Sequence, residues 1–160
     1  MIVAPGAWIP ELVPQLRPHA QPIRQVVAWY QPRDGFVAEP QRMPCFLRDE
    51  GANGSFFGFP AIGIDGVKVG RHAHFREPID PEAPNPAVND TDTALLDGFV
   101  AKRLPDAASF RVRATTCRYT MLPSEDFLID TLPGQPNVVV SSACSGHGFK
   151  FASVVGEILA

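Results

Sequence analysis

The last quarter of the chain constrains the fold most, because it has the pattern of a strand, a glycine turn and a helix in direct succession. The valines at 138–140 form an uncharged, β-branched run that is typical of a buried strand. Residues 145–148, Ser-Gly-His-Gly, predict a turn, and apolar residues then recur at helical spacing over 149–159. A helix start offers N–H groups without intrahelical acceptors, glycine lets a ligand approach the backbone, and Lys150 adds a positive charge. The stretch predicts either a small anion site or an ordinary strand-to-helix turn.

Length and composition indicate one globular domain without a polyanionic partner. The 160 residues are 45% hydrophobic and include 11 phenylalanines, which is enough apolar surface for a real core. The formal net charge is −3 and no cluster of lysine and arginine stands out, so nucleic-acid binding is not expected. No stretch approaches the roughly 18 apolar residues of a membrane span, and the start lacks the pattern of a secretory signal. We therefore expect a cytoplasmic protein without a membrane partner.

Cysteine and histidine spacing predicts neither a disulfide framework nor a metal site. Cys45, Cys117 and Cys144 are odd in number and scattered, without a CxxC pair. His72 and His74 have a spacing that can begin a metal site, but no third ligand has suitable local spacing. Each cysteine alone is compatible with a buried structural thiol.

The remaining pattern indicates an α+β chain with several antiparallel strands and few helices. One helix is predicted over 94–104, capped by side chains at 91–93 and closed by Pro105. A turn is predicted at 31–35 and a hairpin at 51–54. The other predicted elements are a short strand at 2–4 with no neighbour before it, broken helical turns at 7–16, strands at 23–30, 45–48, 55–60, 66–75, 110–121 and 127–130, and a surface loop at 77–89.

The strand predicted at 66–75 carries candidate chemistry on one face. Period-two alternation places Lys68 and His72 on the same side of the sheet, with Gly70 between them leaving an open floor. That face is predicted either to line a pocket or to be a solvated surface, since lysine is seldom buried unpaired.

Six motifs in order carry a resemblance along nearly the whole chain. They are Gly-Ala-Trp at 6–8, Phe-Gly-Phe-Pro at 57–60, Gly-Val-Lys-Val-Gly-Arg-His at 66–72, Thr-Cys-Arg-Tyr-Thr at 116–120, Asp-Phe-Leu-Ile-Asp at 126–130 and Ser-Gly-His-Gly-Phe-Lys-Phe at 145–151. The chain resembles the C-terminal portion of the monomeric sarcosine oxidase and N-methyltryptophan oxidase family, in the D-amino-acid-oxidase-like superfamily. The resemblance implies a flavoenzyme that oxidises the carbon–nitrogen bond of a secondary amino acid with oxygen, giving hydrogen peroxide. It also implies an FAD-binding domain combined with a substrate domain built on an antiparallel sheet.

The resemblance assigns roles to individual residues. Cys117 matches the cysteine that holds the flavin through a thioether, and Lys68 matches the lysine that promotes the reaction of the flavin with oxygen. His72 and Tyr119 match residues of the substrate cavity, and Lys150 matches the lysine that pairs with the substrate carboxylate. The remaining cofactor residues that the resemblance implies are Gly146, His147, Gly148 and Phe149, which would run along the flavin, and Gly6, Ala7 and Trp8, which would approach it.

The chain also departs from the family pattern. It has no GxGxxG turn for the FAD pyrophosphate. Phe57 stands where sarcosine-type relatives carry tyrosine, and Cys144 where they usually have an aromatic residue, which suggests a different substrate pocket.

These departures predict a partial enzyme. We expect residual FAD-domain segments at 1–20 and 114–160 around a substrate domain at 21–113, inactive without an N-terminal dinucleotide-binding part. The resemblance leaves open whether this chain binds FAD, and whether FAD is attached at Cys117. A complementary N-terminal chain or a homo-oligomer is the expected partner, beside a small amino acid substrate. The alternative is a non-catalytic remnant or oligomerising interaction module of the same fold.

Overall fold

A computed structural model describes residues 1–33, 38–63 and 66–160. The chain divides into two compact units. Two of the boundaries between them, after Arg24 and after Cys117, fall inside the two longest strands. Unit 1 comprises Met1–Arg24, Arg76–Pro84 and Arg118–Ala160, and unit 2 comprises Gln25–Phe75 and Asn85–Cys117. The predicted turn at 31–35 lies partly outside the described residues. The assignment of FAD-domain and substrate-domain segments stays a prediction.

Eight strands and three α-helices make up the described fold. The strands are β1 (Ile2–Val3), β2 (Gln21–Tyr30), β3 (Phe46–Asp49), β4 (Ser55–Phe59), β5 (Val67–Arg71), β6 (Arg111–Met121), β7 (Leu128–Leu132) and β8 (Gln135–Ser142). The helices are α1 (Ile9–Leu12), α2 (Asp90–Arg103) and α3 (Ala152–Leu159), with 3-10 helices at Gly6–Trp8, Pro14–Leu16, Gly51–Asn53 and Phe149–Phe151. None of the helices among the described residues is both long and apolar enough to cross a membrane.

Unit 1 is built on a three-stranded sheet in the order β1-β8-β7. β8 pairs antiparallel with β7, while β1 pairs parallel with β8, so that Val3 lies opposite Val140. The short strand predicted at 2–4 therefore has a partner within this chain, the strand that contains the valine run. A core cluster packs beside this sheet and comprises Ile9, Val13, Ala20, Leu122, Val138 and Val140.

Unit 2 holds most of a five-stranded sheet in the order β3-β4-β5-β2-β6. β3, β4, β5 and β2 are joined by antiparallel pairings, as the sequence pattern predicted. α2 contributes to the core of this unit, where the rings of Phe56 and Phe99 stack with centroids 4.1 Å apart. The predicted α+β class with an antiparallel sheet is confirmed.

The start of α2 corrects the predicted cap. The helix begins at Asp90, and its N-cap is Asn89 rather than a residue at 91–93. The Asn89 side chain accepts the N–H of Asp92, and the Asp92 carboxylate accepts the N–H of Asn89. Asp92 thus takes part in the cap, but from the third position of the helix.

The predicted open floor on β5 is wrong. The strand ends at Arg71, so His72 lies in the turn that follows and not on the strand. A Cβ added to Gly70 would lie 2.5 Å from the ring of Phe57, the residue directly opposite on β4. The space above Gly70 is therefore filled by an aromatic side chain.

Candidate functional site

Lys68 lies between two aromatic rings on one face of the sheet in unit 2. It is directly opposite Trp29 on β2 and Phe59 on β4. Its Nζ is 5.2 Å from the Trp29 ring centroid and 5.6 Å from the Phe59 ring centroid, within the range of cation–π attraction. Among the described residues, no carboxylate forms an ion pair with this ammonium group.

A fourth side chain extends this row across the sheet. The guanidinium carbon of Arg113 on β6 lies 3.7 Å from the Trp29 ring centroid, which is the distance of direct stacking. Trp29, Phe59 and Arg113 were not among the predicted site residues. The only signal for them lies in the strand register, which places them beside Lys68 and which the sequence alone does not give.

The other two candidates of unit 2 lie on different elements. Cys117 is half-buried on β6, and none of Cys45, Cys117 and Cys144 is part of a disulfide. The half-buried His72 donates its backbone N–H to the carbonyl of Ser55 at 2.8 Å. His74, two residues on, is buried, and its Nε2 lies 2.8 Å from a carboxylate oxygen of Asp92. No group of three metal-ligating side chains occurs within the described ranges.

In unit 1, the predicted strand-turn-helix is present and its turn is held by specific bonds. Ser145 is fully buried, and its hydroxyl donates to the carbonyl of Asp126 at 2.9 Å. Its backbone N–H donates to the carbonyl of Thr120 on β6 at 3.0 Å. Gly148 is required by close packing, because a Cβ there would lie 1.8 Å from the carbonyl oxygen of Ala143.

The turn presents an imidazole, an exposed ring and an ammonium group. His147 stacks on Phe127 with centroids 4.8 Å apart, and its Nε2 lies 2.8 Å from the carbonyl oxygen of Glu125. Lys150 donates from Nζ to the carbonyl of His147 at 3.0 Å and lies 4.9 Å from the Phe151 ring centroid. The side chain of Phe149 is 96% exposed.

Three further candidates form the 3-10 helix at Gly6–Trp8. Gly6 has a φ of 60°, in the region that favours glycine, and Ala7 is buried. The indole N–H of Trp8 donates to a carboxylate oxygen of Glu82 at 2.5 Å, and the Arg118 guanidinium lies 5.4 Å from a Trp8 ring centroid. Arg118 precedes the half-buried Tyr119 on β6, so unit 1 joins the Trp8 segment to the strand that carries Tyr119.

A separate cavity of about 490 Å³ lies in unit 2, between α2 and the start of β6. The polar side chains of its wall bind one another. The Tyr30 hydroxyl donates to Asp97 at 2.8 Å, and Arg111 also binds that carboxylate. Burial and the hydrogen bond to Asp97 raise the pKa of Tyr30 well above its ordinary value. These groups hold β2, α2 and β6 together.

Comparison with known proteins shows the family to which this chain belongs. The sequence profile of the FAD dependent oxidoreductase (DAO) family matches residues 1–160. The chain belongs to this FAD dependent oxidoreductase family. It is 38% identical over 161 residues to the N-methyl-L-tryptophan oxidase of Escherichia coli (strain K12 / DH10B), covering 99% of this chain and 42% of that protein. It is 37% identical over 164 residues to the monomeric sarcosine oxidase of Bacillus sp. (strain NS-129), again covering 42% of the relative.

Solved structures of oxidases share the fold at lower identity. The deglycating fructosamine oxidase of Aspergillus fumigatus (Amadoriase II) superposes with a TM-score of 0.76 at 15% identity, over 99% of this chain and 39% of that chain. NikD, an amino acid oxidase of nikkomycin biosynthesis, superposes with a TM-score of 0.68 at 21% identity, over 98% of this chain and 42% of that chain. The chain thus spans about two-fifths of the length of the relatives it matches.

Each unit supplies, by itself, a group that a flavin ring can use. In unit 2, Cys117 is not part of a disulfide, as a thioether requires. In unit 1, the N–H groups of Phe149 and Lys150 have no acceptor among the described residues.

The pyrophosphate of FAD does not fit the starts of α1 and α2. A pyrophosphate needs open N–H groups at a helix N-terminus. The first turn of α2 contains Asp90 and Asp92, and Asn89 already accepts one of its N–H groups. α1 is only four residues long. Neither of these two helix starts therefore supplies a phosphate cradle.

Proposed function

We propose that this chain supplies the substrate-binding and flavin-ring-binding side of an FAD-dependent amine oxidase. The substrate would be a small secondary amino acid, oxidised at its carbon–nitrogen bond. In that reaction the C–N bond becomes a C=N bond, and the two electrons and two protons that leave it end on oxygen as hydrogen peroxide. FAD, when bound, takes the two electrons from the substrate and passes them to oxygen.

The thiol of Cys117, half-buried on β6 and outside any disulfide, is the observation that carries this proposal in a chain whose whole length matches the family. A covalent tether needs one thiol that is not part of a disulfide. Cys117 lies two residues before Tyr119 on β6, and the carbonyl of Thr120, the next residue of that strand, accepts the backbone N–H of Ser145. We assign it to the attachment of the flavin ring.

Each of the two candidate lysines would stabilise a different negative charge. The Lys150 ammonium group donates one hydrogen bond, to the carbonyl of His147. An ammonium group has three donors, so its other N–H groups are available to bind a substrate carboxylate. Lys68 keeps its charge beside aromatic rings and would stabilise negative charge that develops during the reaction with oxygen. His72 and Tyr119 would shape the substrate cavity, and residues 146–149 with Gly6–Trp8 would lie along the ring.

The sequence contains no GxGxxG turn for the FAD phosphates, so the proposed activity would depend on a second polypeptide part. The relatives are more than twice as long as the matched segment. We expect the chain alone to be colourless and inactive with sarcosine, because FAD would lack the backbone donors that fix its phosphates.

A specific observation also favours the interaction-module alternative. α3 is apolar in sequence, yet none of its residues is buried, and Val154 and Ile158 are exposed. An apolar helix is normally covered by other protein. A homo-oligomer without flavin would also account for this surface, so the mass of the isolated chain in solution distinguishes it from a monomer that awaits a complementary part.

The decisive experiment compares visible spectra of the chain expressed alone and together with the part of the E. coli relative that the match does not span. We expect flavin absorbance only in the pair, retained on this chain after acid denaturation. Cys117→Ser should release that flavin, whereas the matched control Cys45→Ser, at an exposed free thiol, should retain it. Covalent flavin in Cys117→Ser would refute the assigned attachment, and a yellow preparation of the chain alone would refute the need for a partner.

A further inference from the structure

Three adjacent strands place Phe59, Lys68 and Trp29 in one row across the sheet. Phe59 and Trp29 are each the direct antiparallel partner of Lys68, on opposite sides of β5. Directly opposite residues project from the same face, with Cβ atoms about 5 Å apart. The lysine therefore has an aromatic neighbour on each side, fixed by backbone register and not by chance contact of long side chains.

Aromatic partners hold an ammonium group without cancelling its charge. The ring quadrupole attracts a cation within about 6 Å, while the N–H donors remain available to other groups. A carboxylate partner would neutralise the charge and occupy those donors. Nζ of Lys68 lies 5.2 Å and 5.6 Å from the two ring centroids and forms no hydrogen bond with a described residue.

The Trp29 ring is itself held in place. The Arg113 guanidinium lies 3.7 Å from its centroid, close enough to fix the plane of the indole. The row thus runs Phe59, Lys68, Trp29, Arg113 over four neighbouring strands. A cation at Lys68 gains a fixed position because the ring beside it is immobilised from the next strand.

We infer that Trp29 and Phe59 are positioning residues for Lys68, which hold its ammonium group at one place on the sheet with its charge intact. What that charge does rests on the proposed function: it stabilises negative charge that develops next to it. The competing explanation is that the row only packs the sheet surface. In that case the mobility of the Lys68 ammonium group would not change when either ring is removed.

Reductive methylation with ¹³C-formaldehyde tests the positioning directly on the isolated chain. The chain has three lysines, Lys68, Lys102 and Lys150, and methylation preserves their charge. Lys102 lies exposed on α2 and serves as the internal reference. We expect the methyl signal of Lys68 to lie upfield of the Lys102 signal, because aromatic ring currents shield groups over their faces.

The variants separate positioning from packing. Trp29→Leu and Phe59→Leu each remove a ring current in either case, so the deciding readout is ¹³C relaxation: each should raise the mobility of the Lys68 methyl carbons toward that of Lys102, whereas Trp29→Phe should keep most of the restriction. Phe110→Leu, at an exposed ring elsewhere in unit 2, is the matched control and should leave the signal unchanged. Unchanged mobility of the Lys68 methyl carbons in both leucine variants would overturn the inference. If Trp29→Leu does not fold by circular dichroism, Phe59→Leu and Trp29→Phe decide.

This measurement needs no flavin, so the inference about Lys68 can be refuted or supported independently of the proposed function. A shifted Lys68 in a chain that never forms an oxidase would retain the positioning and reject the function. In a flavin-loaded complex, Trp29→Leu should lower kcat/KM for oxygen by about 2- to 30-fold, the loss of one cation–π contact, with KM for the amine unchanged. An equal loss in both parameters would indicate a general disturbance of the sheet and count against the inference.

Discussion

Replacing Asp92 by alanine should remove two interactions at once in unit 2. Asp92 is fully buried, and each of its carboxylate oxygens has a partner: the imidazole Nε2 of His74 at 2.8 Å and the backbone N–H of Asn89 at 2.9 Å. Alanine leaves the buried imidazole without its carboxylate and breaks the reciprocal cap of α2. The connection between the turn after β5 and the start of α2 is lost with it.

The expected loss in free energy of unfolding follows from these two parts. Loss of an N-terminal cap interaction costs about 1 kcal/mol. A buried donor that loses its acceptor costs about 1–3 kcal/mol. Together they predict a loss of about 2–4 kcal/mol, or a fall in Tm of about 4–16 °C for a chain of this size.

Urea denaturation followed by circular dichroism measures this loss. Asp90→Ala is the matched control: it removes the same charge from the same first turn, but Asp90 is exposed. Its loss should stay within about 0.3–1 kcal/mol, the value of one charge near a helix end. Asp92→Ala with a loss no larger than that of Asp90→Ala would refute the role given to the buried pair.

Two further predictions concern a glycine and a carboxylate. Gly148→Ala should lower the free energy of unfolding by about 1–3 kcal/mol, because its Cβ would lie 1.8 Å from the carbonyl oxygen of Ala143; Gly98→Ala, in open space on α2, should instead stabilise by about 1 kcal/mol. The hydrogen bond from Arg103 lowers the pKa of Glu50 from its ordinary value near 4.5 to about 2. The stabilising effect of the ionised Glu50 carboxylate is present above pH 4.5 and is lost as the pH falls toward 2. Arg103→Gln should raise the pKa of Glu50 in a ¹³C NMR titration. A glycine variant of unchanged stability, or a Glu50 titration that Arg103→Gln leaves in place, would contradict these arguments.

The elements with local signals could be predicted from the sequence. The valine run, the Ser-Gly-His-Gly turn and the following helix occur where the pattern placed them, because strand, turn and helix preferences agree over consecutive residues. The α2 cap was misplaced because several residues near the helix start can all cap. Asn89 is the N-cap because it forms reciprocal hydrogen bonds with Asp92, three positions on.

Features that depend on strand register could not be predicted. Gly70 was expected to leave an open floor, but the residue opposite it is Phe57, whose ring fills the space. The pair of His74 and Asp92 joins residues 18 positions apart across a turn and a loop, for which no local pattern exists. The same holds for Trp29 and Phe59 beside Lys68, since a shift of one residue in either pairing would move the rings to the other face.

The partners of the cations separate structural charges from charges that remain available. Arg103 and Arg111 each form an ion pair with a carboxylate, and these ion pairs join elements of unit 2. Lys68 and Lys150 instead lie over aromatic rings, and neither forms an ion pair with a described carboxylate. A cation held by a ring keeps its full attraction for an incoming anion, whereas an ion-paired one does not. The two lysines to which a substrate carboxylate and developing negative charge are assigned are therefore the two whose surroundings preserve that attraction.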